Sequence, residues 1–154
     1  MTLAVGDVAP NFTVATDQGG SVSLAGLKGR KVVIYFYPKA DTSACTQEAK
    51  DFTALKGEFE AAGTTVIGVS RDPVKALDKF QAKYDLGVAL GSDEDGKVTE
   101  AYGVWVEKSM YGKKYMGVER STFVINKEGK IAKIFAKVKP AGHAAEVLSA
   151  LAAI

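Results

Sequence analysis

Cys45 is the only cysteine in this chain of 154 residues, and its surroundings favour a reactive thiol. A lone cysteine is usually a small, inert residue of the core. Cys45, however, follows a polar loop, residues 38–44 (PKADTSA), and does not fall on the apolar stripe predicted for either neighbouring helix. Because one sulfur cannot form a disulfide within the chain, a redox cycle at Cys45 needs a second molecule.

The predicted position of Cys45 also suits a nucleophile. Residues 31–37 (KVVIYFY) are β-branched and aromatic without alternation, which predicts a strand buried on both faces, and Pro38 ends it. Cys45 then falls in the first turn of the following helix, beyond the carboxyl end of the strand, where α/β folds bind ligands. The unpaired N–H groups and the positive end of that helix stabilise a thiolate.

The elements around this site alternate between strand and helix patterns, which indicates an α/β fold. Apolar positions from Ala49 to Ala62 predict a helix that ends at Gly63, and residues 64–70 predict a second buried strand, so the three elements form a right-handed βαβ unit. The other predicted elements are an N-terminal hairpin (12–15 and 21–24), a helix capped by Asp72 before Pro73, a strand at 88–90, a helix at 97–102, a hairpin (121–125 and 130–138) and a helix at 142–154. Together they predict one thioredoxin-like domain over residues 1–154, a central mixed sheet with helices on both faces. The pattern leaves the shape of residues 103–117 open.

Residues 35–45 (YFYPKADTSAC) place Pro38, Thr42 and Cys45 in the register of the motif Pro-x-x-x-Thr/Ser-x-x-Cys. The chain thereby resembles the peroxiredoxins, and it looks most like the bacterioferritin comigratory protein, or peroxiredoxin Q, subfamily. Further matching segments are 6–12 (GDVAPNF), 66–72 (VIGVSRD), 92–96, 103–112 (GVWVEKSMYG) and 119–124 (ERSTFV). The resemblance implies a thioredoxin-like fold, a monomer, and an antioxidant enzyme that reduces hydrogen peroxide and organic hydroperoxides.

The resemblance also implies the site residues. Cys45 is the nucleophile that becomes a sulfenic acid, and Arg120, which precedes the Ser-Thr-Phe strand, completes the site. These types suit the reaction, because a charged guanidinium, the Thr42 hydroxyl and the Cys45 N–H can stabilise charge on the departing oxygen. Pro38 would shield the sulfur from water.

Glu48 and Tyr37 are expected to support this site. Glu48 lies one helical turn beyond Cys45, where it either orients Arg120 or simply faces solvent. The alternative for Arg120 is a surface ion pair with Glu119 or another carboxylate.

The chain departs from the subfamily where many members carry a resolving cysteine. The two usual positions hold Lys50 and Gln81 here. We therefore expect a one-cysteine mechanism, in which glutathione, thioredoxin or glutaredoxin reduces the sulfenic acid. The same pattern would arise if a resolving cysteine had been replaced by engineering. The main alternative function is a peroxide sensor or mixed-disulfide adaptor that passes oxidation on without turning over.

Charge composition argues against nucleic acid as a partner. The 20 basic and 18 acidic side chains give a formal charge of +2, although residues 105–139 hold nine Lys or Arg against three Glu. An anion- or nucleic-acid-binding module is thus a third, weaker alternative. The lysines at positions 130, 133, 137 and 139 are better explained as charges that guard an edge strand.

The sequence predicts neither a membrane segment nor a metal centre. The longest apolar run, residues 32–37, falls far short of the roughly 20 residues that span a bilayer. Residues 1–10 lack the basic and apolar regions of a secretory signal, so we expect a cytoplasmic protein. One histidine, His143, and one cysteine make no zinc site, and we expect no metal or cofactor and a surface position for His143.

Overall fold

The computed structural model describes residues 3–154, and a seven-stranded mixed sheet lies at its centre. The strands of the molecule are β1 (Thr13–Thr16), β2 (Ser21–Ser23), β3 (Lys31–Phe36), β4 (Thr64–Ser70), β5 (Ala89–Ser92), β6 (Trp105–Met110), β7 (Lys113–Val118), β8 (Ser121–Ile125) and β9 (Ile131–Phe135). The central sheet has the order β2-β1-β5-β4-β3-β8-β9, whereas β6 and β7 form a separate two-stranded ribbon. Strands β3, β4 and β5 are parallel, and the β1–β2 and β8–β9 pairs are antiparallel. The predicted βαβ unit and both predicted hairpins are confirmed.

Helices cover both faces of the sheet, as the sequence predicts. They are α1 (Ser43–Ala54), α2 (Lys56–Ala61), α3 (Val74–Tyr84), α4 (Lys97–Ala101) and α5 (His143–Leu151). Side chains of α1, α2, α3 and α5 share one core cluster with alternate residues of β3 such as Tyr35. Val98 of α4 joins a second cluster on the opposite face, which contains Ile34 and Phe36. Alternation along a strand thus explains why every residue from Val32 to Tyr37 is buried.

Two predicted details of the helices are wrong. The helix predicted over residues 49–62 breaks at Leu55, where φ is −98° and ψ is 9°, into α1 and α2. Asp72 does not cap α3, because Pro73 occupies the cap position. The Asp72 carboxylate instead accepts hydrogen bonds from the Ala40 N–H at 2.8 Å and from the Ser70 hydroxyl at 2.7 Å. It thereby fixes the loop that precedes Cys45.

The segment whose shape the sequence left open is the ribbon of β6 and β7. Its antiparallel register runs from Trp105 opposite Val118 to Met110 opposite Lys113. Tyr111 and Gly112 connect the strands with φ values of 52° and 76°, the paired positive angles of a type I′ turn. The ribbon leads directly into Arg120 and β8.

A close approach between β3 and β4 positions the inner face of α1. The Tyr35 ring lies over Gly68, where a Cβ atom would come within 2.5 Å of Tyr35 Cζ. The same ring stacks on Phe52 of α1, with ring centroids 4.6 Å apart.

Within residues 3–154, no helix is both long enough and apolar enough to span a bilayer.

Candidate active site

Cys45 lies in the first turn of α1 and is only 1% exposed. It belongs to the core cluster that also contains Tyr37, Ala49 and Phe52. The prediction that Cys45 lies off the apolar stripe is therefore wrong. Cys45, Ala49 and Phe52 are spaced i, i+4 and i+7, so the cysteine extends the buried face of α1 by one turn.

Arg120 reaches this sulfur from the other half of the chain. Antiparallel pairing of β8 with β3 sets Ser121 opposite Phe36, which brings Arg120 to the carboxyl end of β3. Its Nη2 donates to Cys45 Sγ at 3.2 Å, and its Nη1 donates to Glu48 Oε1 at 2.7 Å. The guanidinium thus bridges two side chains that lie one turn apart on α1.

Glu48 therefore contacts Arg120 inside the molecule, and the solvent-facing position considered for it is wrong. Its side chain is 1% exposed, and that of Arg120 is 12% exposed. The surface ion pair considered for Arg120 is also wrong, because its carboxylate partner is this buried one. Burial raises the pKa of Glu48 to about 7, against the opposing charge of Arg120. Its second oxygen, Oε2, has no hydrogen-bond partner among the described residues.

The start of α1 leaves backbone donors available beside the sulfur. The first intrahelical hydrogen bond runs from the Thr46 N–H to the Thr42 carbonyl at 2.8 Å. Residues 43–45 precede it, so their N–H groups have no acceptor within the helix. Thr42 makes no side-chain cap, because its hydroxyl donates to the Lys39 carbonyl at 2.9 Å. Such a helix end attracts anionic oxygen atoms.

The two remaining predicted residues differ in exposure. Pro38 is exposed at the start of the loop. Tyr37 is 1% exposed, and its hydroxyl has no hydrogen-bond partner among the described residues. Burial raises the pKa of Tyr37 far above its usual value, so the hydroxyl stays protonated. Arg120 therefore joins Cys45 to Glu48, and Tyr37 lies in the same core cluster as Cys45. Thr42 and Pro38 lie in the loop that leads into α1.

Helix α3 holds the loop before Cys45 from outside. Asp41 has a φ of 63°, and its carboxylate accepts hydrogen bonds from the Tyr84 hydroxyl at 2.6 Å and from Lys83 Nζ at 2.9 Å. Lys50 of α1 places its ammonium 4.9 Å from the centre of the Tyr84 ring. Gln81 donates to the Leu86 carbonyl at the end of the same helix. Sequence reasoning missed this group, because Asp41 and Tyr84 are 43 residues apart.

Two further residues shape the electrostatics of the site. The buried Tyr35 hydroxyl lacks a partner among the described residues, and burial, followed by Tyr37 and Glu48, raises its pKa. Lys108 of the ribbon is half-buried, and burial and then the Arg120 charge lower its pKa. Sequence reasoning left the shape of the segment that holds Lys108 open, and it treated Tyr35 as a core residue of the strand.

His143 is buried, so the predicted surface position is wrong. It is 3% exposed, with Nε2 2.8 Å from Thr122 Oγ1 and Nδ1 3.2 Å from Glu146 Oε1. Its ring packs edge-on against Phe52 and Phe135, which covers the beginning of α5. Burial lowers its pKa.

Comparisons with known proteins find similar chains that cover most of this sequence. A family model described as the AhpC/TSA family matches residues 5–134. The chain is 50% identical over 151 residues to the putative peroxiredoxin bcp of Coxiella burnetii, a match that covers 98% of this chain and 100% of that protein.

Two solved structures extend the likeness to three dimensions. One is the bacterioferritin comigratory protein of Xanthomonas campestris, studied for its alkyl peroxide reduction activity, with a TM-score of 0.88 and 45% identity over 92% of this chain and 90% of that one. The other is a cysteine-to-serine mutant of Xylella fastidiosa PrxQ, with a TM-score of 0.94 and 36% identity over 99% of this chain and 98% of that one.

Proposed function

Because the chain belongs to the AhpC/TSA family and, within it, to the Bcp and peroxiredoxin Q group of thiol-dependent peroxidases, we propose that Cys45 is the residue that attacks the peroxide. The observation that carries this assignment is the 3.2 Å contact between Arg120 Nη2 and Cys45 Sγ. A guanidinium at this distance stabilises the thiolate, which is the nucleophilic form of the side chain. The protein thereby serves antioxidant defence against hydrogen peroxide and organic hydroperoxides, and the activity of the Xanthomonas relative supports the second class.

In the proposed reaction, the Cys45 thiolate attacks one oxygen of the hydroperoxide and the O–O bond breaks. Sulfur loses two electrons and becomes a sulfenic acid. The other oxygen leaves as alkoxide or hydroxide and takes up a proton to become alcohol or water. Because negative charge moves from sulfur to the departing oxygen, the site needs donors near both atoms. Arg120 provides a permanent charge beside the sulfur, and the free N–H groups of residues 43–45 extend from the helix end.

The other predicted residues receive lesser roles in this proposal. Glu48 fixes the guanidinium, and Pro38 restricts water at the entrance. The Thr42 hydroxyl donates to the departing oxygen only after rotating away from the Lys39 carbonyl that it now contacts. Tyr37 supports the buried side of the site with a ring that stays neutral.

An external thiol completes the cycle, because the sequence holds one sulfur nucleophile. A first thiol forms a mixed disulfide with Cys45 and releases water, and a second thiol regenerates Cys45 and leaves as a disulfide. We include in the proposal glutathione, thioredoxin or glutaredoxin as the reductant, a cytoplasmic location where such thiols are kept reduced, a monomer, and one domain over the whole chain. Core clusters that share one sheet support the single domain.

Stopped-flow oxidation of the reduced protein by hydrogen peroxide near neutral pH tests the proposal. The expected rate exceeds that of a free cysteine thiolate by orders of magnitude, and Cys45→Ser abolishes the reaction. Multiple turnovers with glutathione or thioredoxin should follow. A rate equal to that of free thiol would refute the peroxidase, whereas fast oxidation without turnover would favour the peroxide sensor or mixed-disulfide adaptor.

A further inference from the structure

The ribbon of β6 and β7 exposes an unusual share of large apolar side chains. Of the seven such side chains that are exposed within residues 3–154, four belong to the ribbon: Met110, Tyr111, Tyr115 and Met116. Tyr111 is 98% exposed at the turn, so its ring has almost no contact with the rest of the protein. Single apolar side chains are common on protein surfaces, whereas a cluster of them marks an interaction surface.

The base of the ribbon is fixed to the body of the protein. The Arg71 guanidinium lies 3.4 Å from the centre of the Trp105 ring, and Val118 is buried in a core cluster. Exposure rises along β7 from Val118 to Lys113, so the turn projects from this base. The strand is roughly 20 Å long at the usual rise per residue. The ribbon is therefore a preformed projection that loses little conformational freedom on binding.

Apolar side chains occupy both faces of this projection. In an antiparallel pair, opposite residues share a face and successive residues alternate between faces. Met110 and Tyr115 therefore lie on one face, and Met116 lies on the other. Tyr111 stands at the turn between them. A rigid protein partner would cover one face and leave the other in water, whereas the boundary between headgroups and acyl chains of a bilayer surrounds an inserted tip on all sides.

Lysines accompany the apolar side chains on each face. Lys113 lies directly opposite Met110 in the register, and Lys114 shares the other face with Met116. Residues 105–118 contain three lysines and one glutamate, and that glutamate meets Lys114 at 3.7 Å between exposed side chains. This charge suits anionic headgroups, and tyrosine suits the interface of a bilayer. Single-stranded nucleic acid would leave the methionines unused, since they lack a flat ring on which a base can stack.

We propose that the ribbon tip, residues 110–116, attaches the protein to bilayer surfaces that carry anionic lipids. Tyr111 and the two methionines enter the boundary below the headgroups, and Lys113 and Lys114 contact the anionic groups. Because the ribbon leads into Arg120, attachment holds the proposed active site roughly 20 Å from the bilayer surface. The attachment is independent of the proposed function, but its benefit rests on that function: the enzyme then meets organic hydroperoxides that partition into the bilayer.

Co-sedimentation of the reduced protein with vesicles at low salt tests the attachment. We expect binding to vesicles of phosphatidylcholine mixed with phosphatidylglycerol, much weaker binding to phosphatidylcholine alone, and release by sodium chloride. Tyr111→Asn should weaken binding about tenfold, because it removes the ring. Asparagine also tolerates the φ of 52° at this position. Joint replacement Lys113→Gln and Lys114→Gln should weaken binding about 25-fold, about fivefold for each lysine.

Two matched controls lie outside the ribbon. Val5→Ser removes an exposed apolar side chain, and Lys79→Gln removes an exposed lysine of α3. Both should bind like the parent protein. Failure of the parent to bind the anionic vesicles, or equal binding by Tyr111→Asn, would overturn the proposal. Losses in the controls as large as those in the ribbon variants would also overturn it, because they indicate a general attraction without a defined surface.

Peroxide measurements separate the attachment from the proposed function. Oxidation of Cys45 by hydrogen peroxide in solution should be the same in the parent and the ribbon variants. Oxidation by a phospholipid hydroperoxide embedded in the anionic vesicles should slow in the ribbon variants as their binding falls. Slow oxidation of the parent by both peroxides would refute the proposed function alone, since sedimentation still decides the attachment. Without vesicle binding, slower turnover of the ribbon variants with thioredoxin but not with a small thiol would assign the ribbon to a protein partner and overturn the proposal.

Discussion

Two acid–base pairs flank the first turns of α1, and they differ in burial far more than in geometry. Glu48 and Arg120 meet at 2.7 Å with side chains 1% and 12% exposed. Asp41 and Lys83 meet at 2.9 Å with side chains 42% and 58% exposed. Burial removes competing water from the first pair, so breaking it leaves an uncompensated charge, whereas water replaces the lost partner in the second. Similar ion pairs therefore give rigid positioning on one side of Cys45 and reversible attachment on the other.

Removal of the Arg120 guanidinium, which contacts both Cys45 and Glu48, should produce the largest effect. Arg120→Met takes a donor from the sulfur, so the rate of Cys45 oxidation should fall about 10²- to 10³-fold. It also leaves the buried Glu48 carboxyl without its hydrogen-bond partner, which should cost about 1–3 kcal/mol of unfolding free energy. Stopped-flow oxidation and urea unfolding measure the two effects. Arg120→Lys keeps the charge without the fork and should give intermediate rates. Oxidation of the methionine variant at the parent rate would break the comparison.

Removal of the buried carboxylate should have a smaller effect with a distinct pH dependence. The pKa of Glu48 is about 7 in the folded protein, whereas the ordinary value of a glutamate that is not buried is 4.5. The folded state therefore retains a proton that the unfolded state loses, and stability falls as pH rises from about 4.5 to about 7, after which it is level. Glu48→Gln keeps an acceptor for Arg120 and should remove this fall, by about 2 kcal/mol.

Urea unfolding at pH 5 and pH 8 gives the change in unfolding free energy with pH for the parent and for Glu48→Gln. The difference between these two changes is the contribution of Glu48. Other groups that titrate in the same range contribute equally to both proteins and cancel. The same pH difference in both proteins would show that Glu48 is ionised throughout.

His143 tests whether burial alone shifts an acid–base group away from the cysteine. Its pKa is lowered by burial, so below its ordinary value of 6.5 the unfolded state binds a proton that the folded state excludes. Stability should therefore rise with pH up to about 6.5, opposite in sign to Glu48. His143→Gln retains a polar contact for Thr122 and should reduce the loss of stability between pH 7.5 and pH 5. Thermal unfolding at the two values measures it, and an unaltered loss would contradict the assignment.

A higher salt concentration should have the smallest effect of these changes, and it should distinguish the two ion pairs. Raising sodium chloride screens the exposed Asp41–Lys83 pair but hardly reaches the buried one. Maleimide labelling of Cys45 should accelerate about twofold at high salt, while oxidation by uncharged hydrogen peroxide stays constant. Lys83→Met should remove the salt dependence of labelling. Its persistence in that variant would assign the effect to other charges.

The sequence predicted the parts of this molecule that local patterns encode. The buried run 31–37 and the apolar spacing of α1 and α3 follow from periodicity, and they gave the βαβ unit. The motif resemblance supplied Cys45 and Arg120, but their contact spans 75 residues and depends on the pairing of β8 with β3. The role of Glu48 stayed open for the same reason, because spacing along a helix does not reveal which partner packs over it.

The two failures have different physical causes. His143 stands beside small residues at the beginning of a helix, and Phe52 and Phe135, which pack against its ring, are distant in sequence. The β6–β7 ribbon escaped prediction because most of its residues are exposed or half-buried on both faces, so it lacks an alternation of apolar and polar positions. Tertiary packing decided the burial of His143, whereas the ribbon is a local hairpin whose residues show no apolar pattern.

Through the contact between Tyr35 and Gly68, the position of helix α1 depends on an uncharged residue of β4. A methyl group at position 68 would overlap a ring that stacks directly on Phe52, and the displacement would pass along this rigid series of rings to the helix that carries Cys45. Glycine is therefore the only residue type that fits at position 68. The lack of space restricts the residue type at position 68 as strictly as the proposed reaction restricts it at position 45.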